Sequence, residues 1–180
     1  MLVPRRIAPS LVVDTVHHGP FDLTSKTPGR LTLIYFYRGF HCHVCATHLR
    51  ELERLTPEFA KRGVITIAIS SDNRSSATEM QNLLAANNLR IGYGLPLTEA
   101  RKWGLFISTS RSESSLGIEE LEIFFESGLF LLRADRTIYY LSVQSMLVVR
   151  PNFEELLYAL DCALEHGIQR AARTSVRYEL

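Results

Sequence analysis

Two hydrophobic rhythms alternate along this chain. Leu31 to Tyr37 is an almost unbroken run of apolar, β-branched and aromatic residues that stops at Arg38-Gly39, the pattern of a buried strand. Leu49, Leu52, Leu55 and Phe59 then recur at intervals of three and four, the spacing of one helix face. Val64 to Ile69 is again continuously apolar, which suits a parallel strand covered on both sides, so strand, helix and strand make one right-handed βαβ unit. Ser76 and Glu79 have the form of a capping box, and Met80, Leu83 and Leu84 give the following helix an apolar face that runs to about Asn88. Leu97 to Trp103 reads as a short helix, residues 108–117 as an exposed serine-rich loop, and Ile118 to Phe125 as one or two helical turns.

Further on, Leu129 to Leu132 and Thr137 to Leu141 are joined through Ala134-Asp135-Arg136, a link short enough to demand an antiparallel hairpin. Asn152 is the expected N-cap of a last helix whose stripe is Phe153, Leu156, Leu157, Leu160 and Leu164. Before all of these, Leu11 to Val13 and Phe21 to Leu23 read as an N-terminal hairpin or two edge strands, and the tail from Gly167 reads as loose. The order βαβ, helices, ββα is that of the thioredoxin fold. The expected class is therefore α/β: a central mixed sheet flanked by helices, with residues 1–30 as a β extension. With 180 residues, no composition break and no internal repeat, one domain is expected over residues 1–180.

Composition narrows the partners. The chain is 46% hydrophobic and 22% charged with a net charge of +1, which gives no electrostatic case for nucleic acid or an anionic membrane. No apolar run reaches the roughly 18–20 residues that span a bilayer, and the first ten residues lack the apolar core of a secretory signal, so a cytoplasmic location is expected. Three cysteines, one of them the distant Cys162, do not make a disulfide-stapled scaffold.

Cys42 and Cys45 carry the candidate chemistry. Their Cys-x-x-Cys spacing falls where the strand at 31–37 hands over to a helix, and the unpaired N–H groups of a helix's first turn favour a thiolate over a thiol. Redox catalysis is the reading this favours. A metal site is the alternative, with Cys42, Cys45 and His48 joined by His41 or His43, although zinc sites usually draw on a second, distant ligand pair. An inert remnant is the third reading. His43, between the thiols, is the expected tuner of their potential. His48, three residues after Cys45, either shares its face and favours the thiolate when protonated or is a plain surface histidine. Trp103 is expected in the core, and Cys162 lies opposite Phe153 on the last helix, off its stripe.

The residues Tyr35 to Cys45, then Ala68-Ile69-Ser70-Ser71-Asp72, Gly128 to Leu131, Ser142 to Met146 and Arg150-Pro151 resemble the peroxiredoxin-like proteins of the alkyl hydroperoxide reductase and thiol-specific antioxidant (AhpC/TSA) superfamily, over roughly Leu2 to Arg173. The resemblance implies a thioredoxin fold, thiol-based reduction of peroxides or disulfides, and a homodimer. Carried over, the pattern Pro-x-x-x-Thr-x-x-Cys puts Arg38 at the proline, Cys42 at the threonine and Cys45 at the peroxide-attacking cysteine. The arginine that the family carries before the Gly-Leu-Phe strand is Ser127 here, and Arg150 matches a second arginine that lies near the reactive thiol. In the thioredoxin frame Cys42 is the nucleophile and Cys45 the resolving thiol. His43 stands where relatives have proline, and Glu126-Ser127-Gly128 lacks the proline that thioredoxins place there. The expected catalytic set is Cys42, Cys45 and Arg150, tuned by Arg38, His43 and His48. The expected activity is a dithiol peroxidase acting on hydrogen peroxide or organic hydroperoxides and recycled by an external dithiol such as a thioredoxin or glutathione system, with no metal or organic cofactor. A disulfide oxidoreductase and a non-enzymatic redox sensor are the alternatives.

Overall fold

The computed structural model describes residues 2–25, 30–110, 122–146 and 148–165. Its elements in chain order are β1 (Val12–Thr15), β2 (Phe21–Asp22), β3 (Leu31–Phe36), α1 (His43–Lys61), β4 (Val64–Ile69), α2 (Arg74–Leu84), β5 (Arg90–Tyr93), α3 (Leu97–Lys102), β6 (Ile107–Thr109), β7 (Ile123–Phe125), β8 (Gly128–Arg133), β9 (Ile138–Val143) and α4 (Phe153–Glu165). Seven strands form one sheet in the order β2-β1-β5-β4-β3-β8-β9, and β6 and β7 pair separately. β3, β4 and β5 run parallel; β1, β8 and β9 are antiparallel to their neighbours.

The sheet alternates its side chains between two cores, as a period-2 strand must. Leu33, Tyr35, Ala68, Ile91, Leu129 and Leu131 face α1, α2 and α4, while Ile34, Phe36, Ile67, Ile69, Phe130 and Leu132 face α3, the N-terminal hairpin and β7. Trp103 lies in the second core, its ring 5.2 Å from that of Phe36 and 5.0 Å from that of Phe130. The N-terminal segments do form a hairpin, and it extends the sheet by pairing with β5.

Several expectations are corrected. α2 is capped by Asn73, whose Oδ1 accepts the Ser76 N–H, so Ser76 lies inside the helix rather than capping it. The helix ends at Leu84, where Ala85 turns left-handed (φ 49°), and Leu83 is exposed. β5 follows where no strand was expected. Residues 108–109 belong to β6 and Ile123–Phe125 to β7, a two-stranded ribbon in place of a loop and helical turns; residues 111–121 lie outside the described residues. On α4, Asn152 accepts the N–H groups of Glu154 and Glu155 as expected, but only Phe153, Leu157 and Leu160 are buried, and Leu164 is exposed. The expected loose tail lies outside the described residues.

Candidate active site

The end of β3 builds the site. After Phe36 the chain passes through Tyr37 and Arg38 and turns at Gly39, whose carbonyl accepts the Cys42 N–H at 3.1 Å. Gly39 has φ +143°, and a Cβ there would lie 2.7 Å from Asp72 Oδ1, so the turn needs glycine both for its backbone and for the room. Cys42 is the N-cap of α1, in extended conformation (φ −96°, ψ 101°), and its Sγ accepts the Cys45 N–H at 3.2 Å. A sulfur thus fills the place that serine or aspartate oxygen usually takes, where a free N–H and the positive end of the helix dipole both favour negative charge.

Two arginines close on the sulfurs. Arg150, from the loop before α4, brings Nη2 to 3.3 Å from Cys45 Sγ and 3.9 Å from Cys42 Sγ, while its Nη1 donates to the Val149 carbonyl. Arg38 brings Nη1 to 3.9 Å from Cys42 Sγ. Its guanidinium also lies 4.5 Å over the Phe124 ring, and its Nε is 3.4 Å from Glu126 Oε2. Glu126 is itself buried, and its other oxygen accepts the Ser108 hydroxyl. The β6–β7 ribbon therefore reaches the thiols through Arg38.

The two thiols differ in charge. A hydrogen bond from the Cys45 thiol, the Cys45 backbone N–H, and the charges of Arg38 and Arg150 together outweigh burial and bring the Cys42 pKa down to about 6. Cys45 is pushed well up, first by burial and then by its hydrogen bond to Cys42 and the charge there, with Arg150 opposing only in part. Cys45 is fully buried and Cys42 is 4% exposed. At neutral pH the arrangement is a thiolate on Cys42 held by a thiol on Cys45. Burial works against the Arg150 charge, but the neighbouring thiols reverse the balance and keep it protonated. Ser127, where the resemblance led to an expectation of arginine, has its hydroxyl 3.9 Å from Cys45 Sγ.

Of the six expected site residues, Cys42, Cys45, Arg38 and Arg150 come together. His48 is not a surface residue: it is buried, stacked on Phe153 at 4.2 Å between ring centroids, with Nε2 2.7 Å from the Pro151 carbonyl. Burial lowers its pKa to about 4, so it stays neutral and supplies no charge to the thiolate. Its Nε2–H donates to Pro151, next to Arg150, so the contact ties α1 to the arginine's loop. His43 is exposed on the first turn of α1. Among the described residues no group of three or more His, Cys, Asp or Glu side chains is placed to hold a metal ion.

Two carboxylates were not singled out from the sequence. Glu126 pairs with Arg38, and Asp72 Oδ2 accepts the Phe40 N–H at 2.9 Å and the Ser70 hydroxyl at 3.0 Å. The available signal was the Ser70-Ser71-Asp72 run directly after β4, the place in a parallel sheet where sites gather.

Comparison with known proteins adds to this geometry. Residues 4–112 match the model of the AhpC/TSA family. Alkyl hydroperoxide reductase C from Buchnera aphidicola is 27% identical over 115 residues, covering 64% of this chain and 58% of that protein, so the match spans less than two thirds of the relative. Among solved structures, reduced 2-Cys peroxiredoxin from Plasmodium vivax superposes with a TM-score of 0.74 at 15% identity, over 100% of this chain and 92% of that one. A mutant of peroxiredoxin 6 from Arenicola marina gives 0.73 at 18% identity, over 99% and 81%. Mycobacterium tuberculosis AhpC gives 0.71 at 16% identity, over 95% and 97%. At these identities the likeness establishes the fold, which is the expected thioredoxin-like one.

Proposed function

The chain belongs to the AhpC/TSA family, and from that premise we propose that it is a thiol-dependent peroxidase in which Cys42 is the attacking thiolate and Cys45 the resolving thiol. One observation carries the reading: Cys42 Sγ occupies the N-cap of α1 with the Cys45 N–H and two guanidinium groups around it, while Cys45 is buried and held protonated. The Cys42 thiolate attacks the nearer oxygen of a hydroperoxide, the O–O bond breaks, and the leaving hydroxide or alkoxide takes up a proton, leaving a sulfenic acid on Cys42. Cys45 then gives up its proton and attacks that sulfur. Water leaves, and a Cys42–Cys45 disulfide results, two electrons having passed to the peroxide. An external dithiol restores both thiols by exchange. Arg150 faces the charge that builds on the departing oxygen and also the one that forms on Cys45. In this reading the family pattern that puts the attacking thiol at position 45 is displaced by one helical turn.

The same asymmetry favours a second reading, exchange with a disulfide substrate, because a thiolate at the first cysteine and a buried thiol at the second suits that reaction equally. Stopped-flow oxidation of the reduced protein by hydrogen peroxide, with mass spectrometry of the cysteine peptides, separates them. Fast oxidation ending in a Cys42–Cys45 disulfide is expected, with sulfenate trapped on Cys42 in Cys45→Ser. Slow oxidation beside fast disulfide exchange would move the assignment to the second reading, and sulfenate trapped on Cys45 in Cys42→Ser would restore the family's order. A thioredoxin-like or glutathione reductant, a cytoplasmic location and a homodimer complete the proposal, the last checked by light scattering.

A further inference from the structure

Asp72 is bound to the loop that carries Cys42, yet it touches neither sulfur by any hydrogen bond described above. Its carboxylate lies at the C-terminal end of β4 and is 3% exposed. One oxygen accepts the Phe40 N–H at 2.9 Å and the Ser70 hydroxyl at 3.0 Å. The other faces Gly39 so closely that a Cβ there would lie 2.7 Å from it and about as near, 3.0 Å, to His41 Nδ1. Gly39 in turn accepts the Cys42 N–H, and Cys42 caps α1. A continuous path of short contacts therefore runs from one buried carboxylate through three loop residues to the sulfur.

We infer that Asp72 is a positioning residue: by fixing Gly39 and Phe40 it holds Cys42 Sγ at the helix N-cap, and so maintains the reactive thiolate. The cap bond is directional, and a loop released by a few tenths of an ångström loses alignment with the Cys45 N–H and with both guanidinium groups. An anchor is also what a buried, hydrogen-bonded carboxylate is suited to be, since its burial is costly and its bonds are the compensation. The inference rests on the reading of Cys42 as the nucleophile.

The test is the pH dependence of Cys42 alkylation in the full-length reduced protein, followed by peptide mass spectrometry, for Asp72→Ala and Asp72→Asn. Asparagine keeps an acceptor for Phe40 without the charge. An anchor predicts that alanine raises the apparent Cys42 pKa by roughly one unit, which is a tenfold smaller thiolate fraction on the acid side, and that asparagine restores most of it. A carboxylate acting only as a nearby negative charge predicts the opposite sign, a lower pKa in both variants, and overturns the inference. Unchanged pKa with a lower melting temperature overturns it too, reducing Asp72 to a structural role. Where Asp72→Ala does not fold, Gly39→Ala presses the loop off the carboxylate from the other side and must move the pKa upward in the same way. Failure of the parent reading looks different: the alkylation midpoint near neutrality would then belong to Cys45 in the unaltered protein.

Discussion

At the scale of single residues the site is an arrangement of charges around one sulfur. Arg150 Nη2 lies 3.3 Å from Cys45 Sγ and 3.9 Å from Cys42 Sγ. A charge-assisted hydrogen bond of this kind is worth about 1.5–3 kcal/mol, so Arg150→Ala is expected to slow oxidation by peroxide by at least roughly tenfold, and Arg150→Lys by less. Equal rates in stopped flow would leave the arginine a structural part only. On the proposed mechanism the Cys42 thiolate is the nucleophile and its pKa of about 6 sets the acid limb, so the rate constant should be level above about 6 and fall about tenfold per pH unit below it. His48, with its pKa near 4, is neutral throughout that range, and His48→Gln should leave the limb where it is. A limb that vanished in that variant would make the histidine the titrating group. The thiol pair was legible in the sequence from its spacing, and Arg150 only through the family resemblance that Arg150-Pro151 helps to carry. The burial of His48 was not, since it depends on Phe153 and Pro151, which approach from the other end of the chain.

Elements that bury one continuous apolar run were legible for a physical reason: β3, β4 and β8 lie between two cores, so almost every side chain in them must be apolar, whereas β9, at the sheet edge, was legible from its short link to β8. β5 escaped because it is four residues, Arg-Ile-Gly-Tyr, with Gly92 packed so closely on Ile69 and Val13 that a Cβ would come within 3.1 Å of each. Such a residue is required by close packing and carries no hydrophobic signal. The β6–β7 ribbon escaped because its partners are not adjacent in sequence: Ile107–Thr109 pairs with Ile123–Phe125. In α2 two signals competed, and the nearer Ser76–Glu79 motif lost to Asn73, whose side chain reaches the Ser76 N–H at 3.0 Å. The choice has a measurable consequence. Asn73→Ala should cost about 1 kcal/mol in urea denaturation, as loss of an N-cap does, and Ser76→Ala only a few tenths. Equal costs would return the cap to the serine.

For the molecule as a whole, the arrangement that holds the site works against stability. Burial raises the Asp72 pKa from the ordinary 3.8 to about 6, with the Ser70 hydroxyl and the Phe40 N–H opposing it. Tyr37, whose pKa the neighbouring Asp72 charge helps to raise, is held neutral chiefly by its own burial. A carboxyl whose pKa is higher in the folded chain than in the unfolded one stabilises the fold fully below the unfolded value, and that contribution is lost as pH rises through about 6. A difference of roughly two units is about 3 kcal/mol, a large part of the 5–15 kcal/mol typical of a domain. Exposed carboxylates bonded to arginine or lysine, such as Asp161 and Glu58 beside Arg62, shift the other way and lose their contribution as pH falls. Comparing variants isolates the buried group. Between pH 7 and pH 4 the unaltered protein should gain up to about 3 kcal/mol over Asp72→Asn in denaturant unfolding, because asparagine has no proton to take up. Parallel stability curves would mean that the carboxyl titrates normally and is not the desolvated anchor its surroundings describe. A steep divergence, together with a slower peroxide reaction in Asp72→Ala, would show one group lowering stability at neutral pH while keeping the reactive sulfur in place, the exchange of stability for function that preorganised sites commonly make.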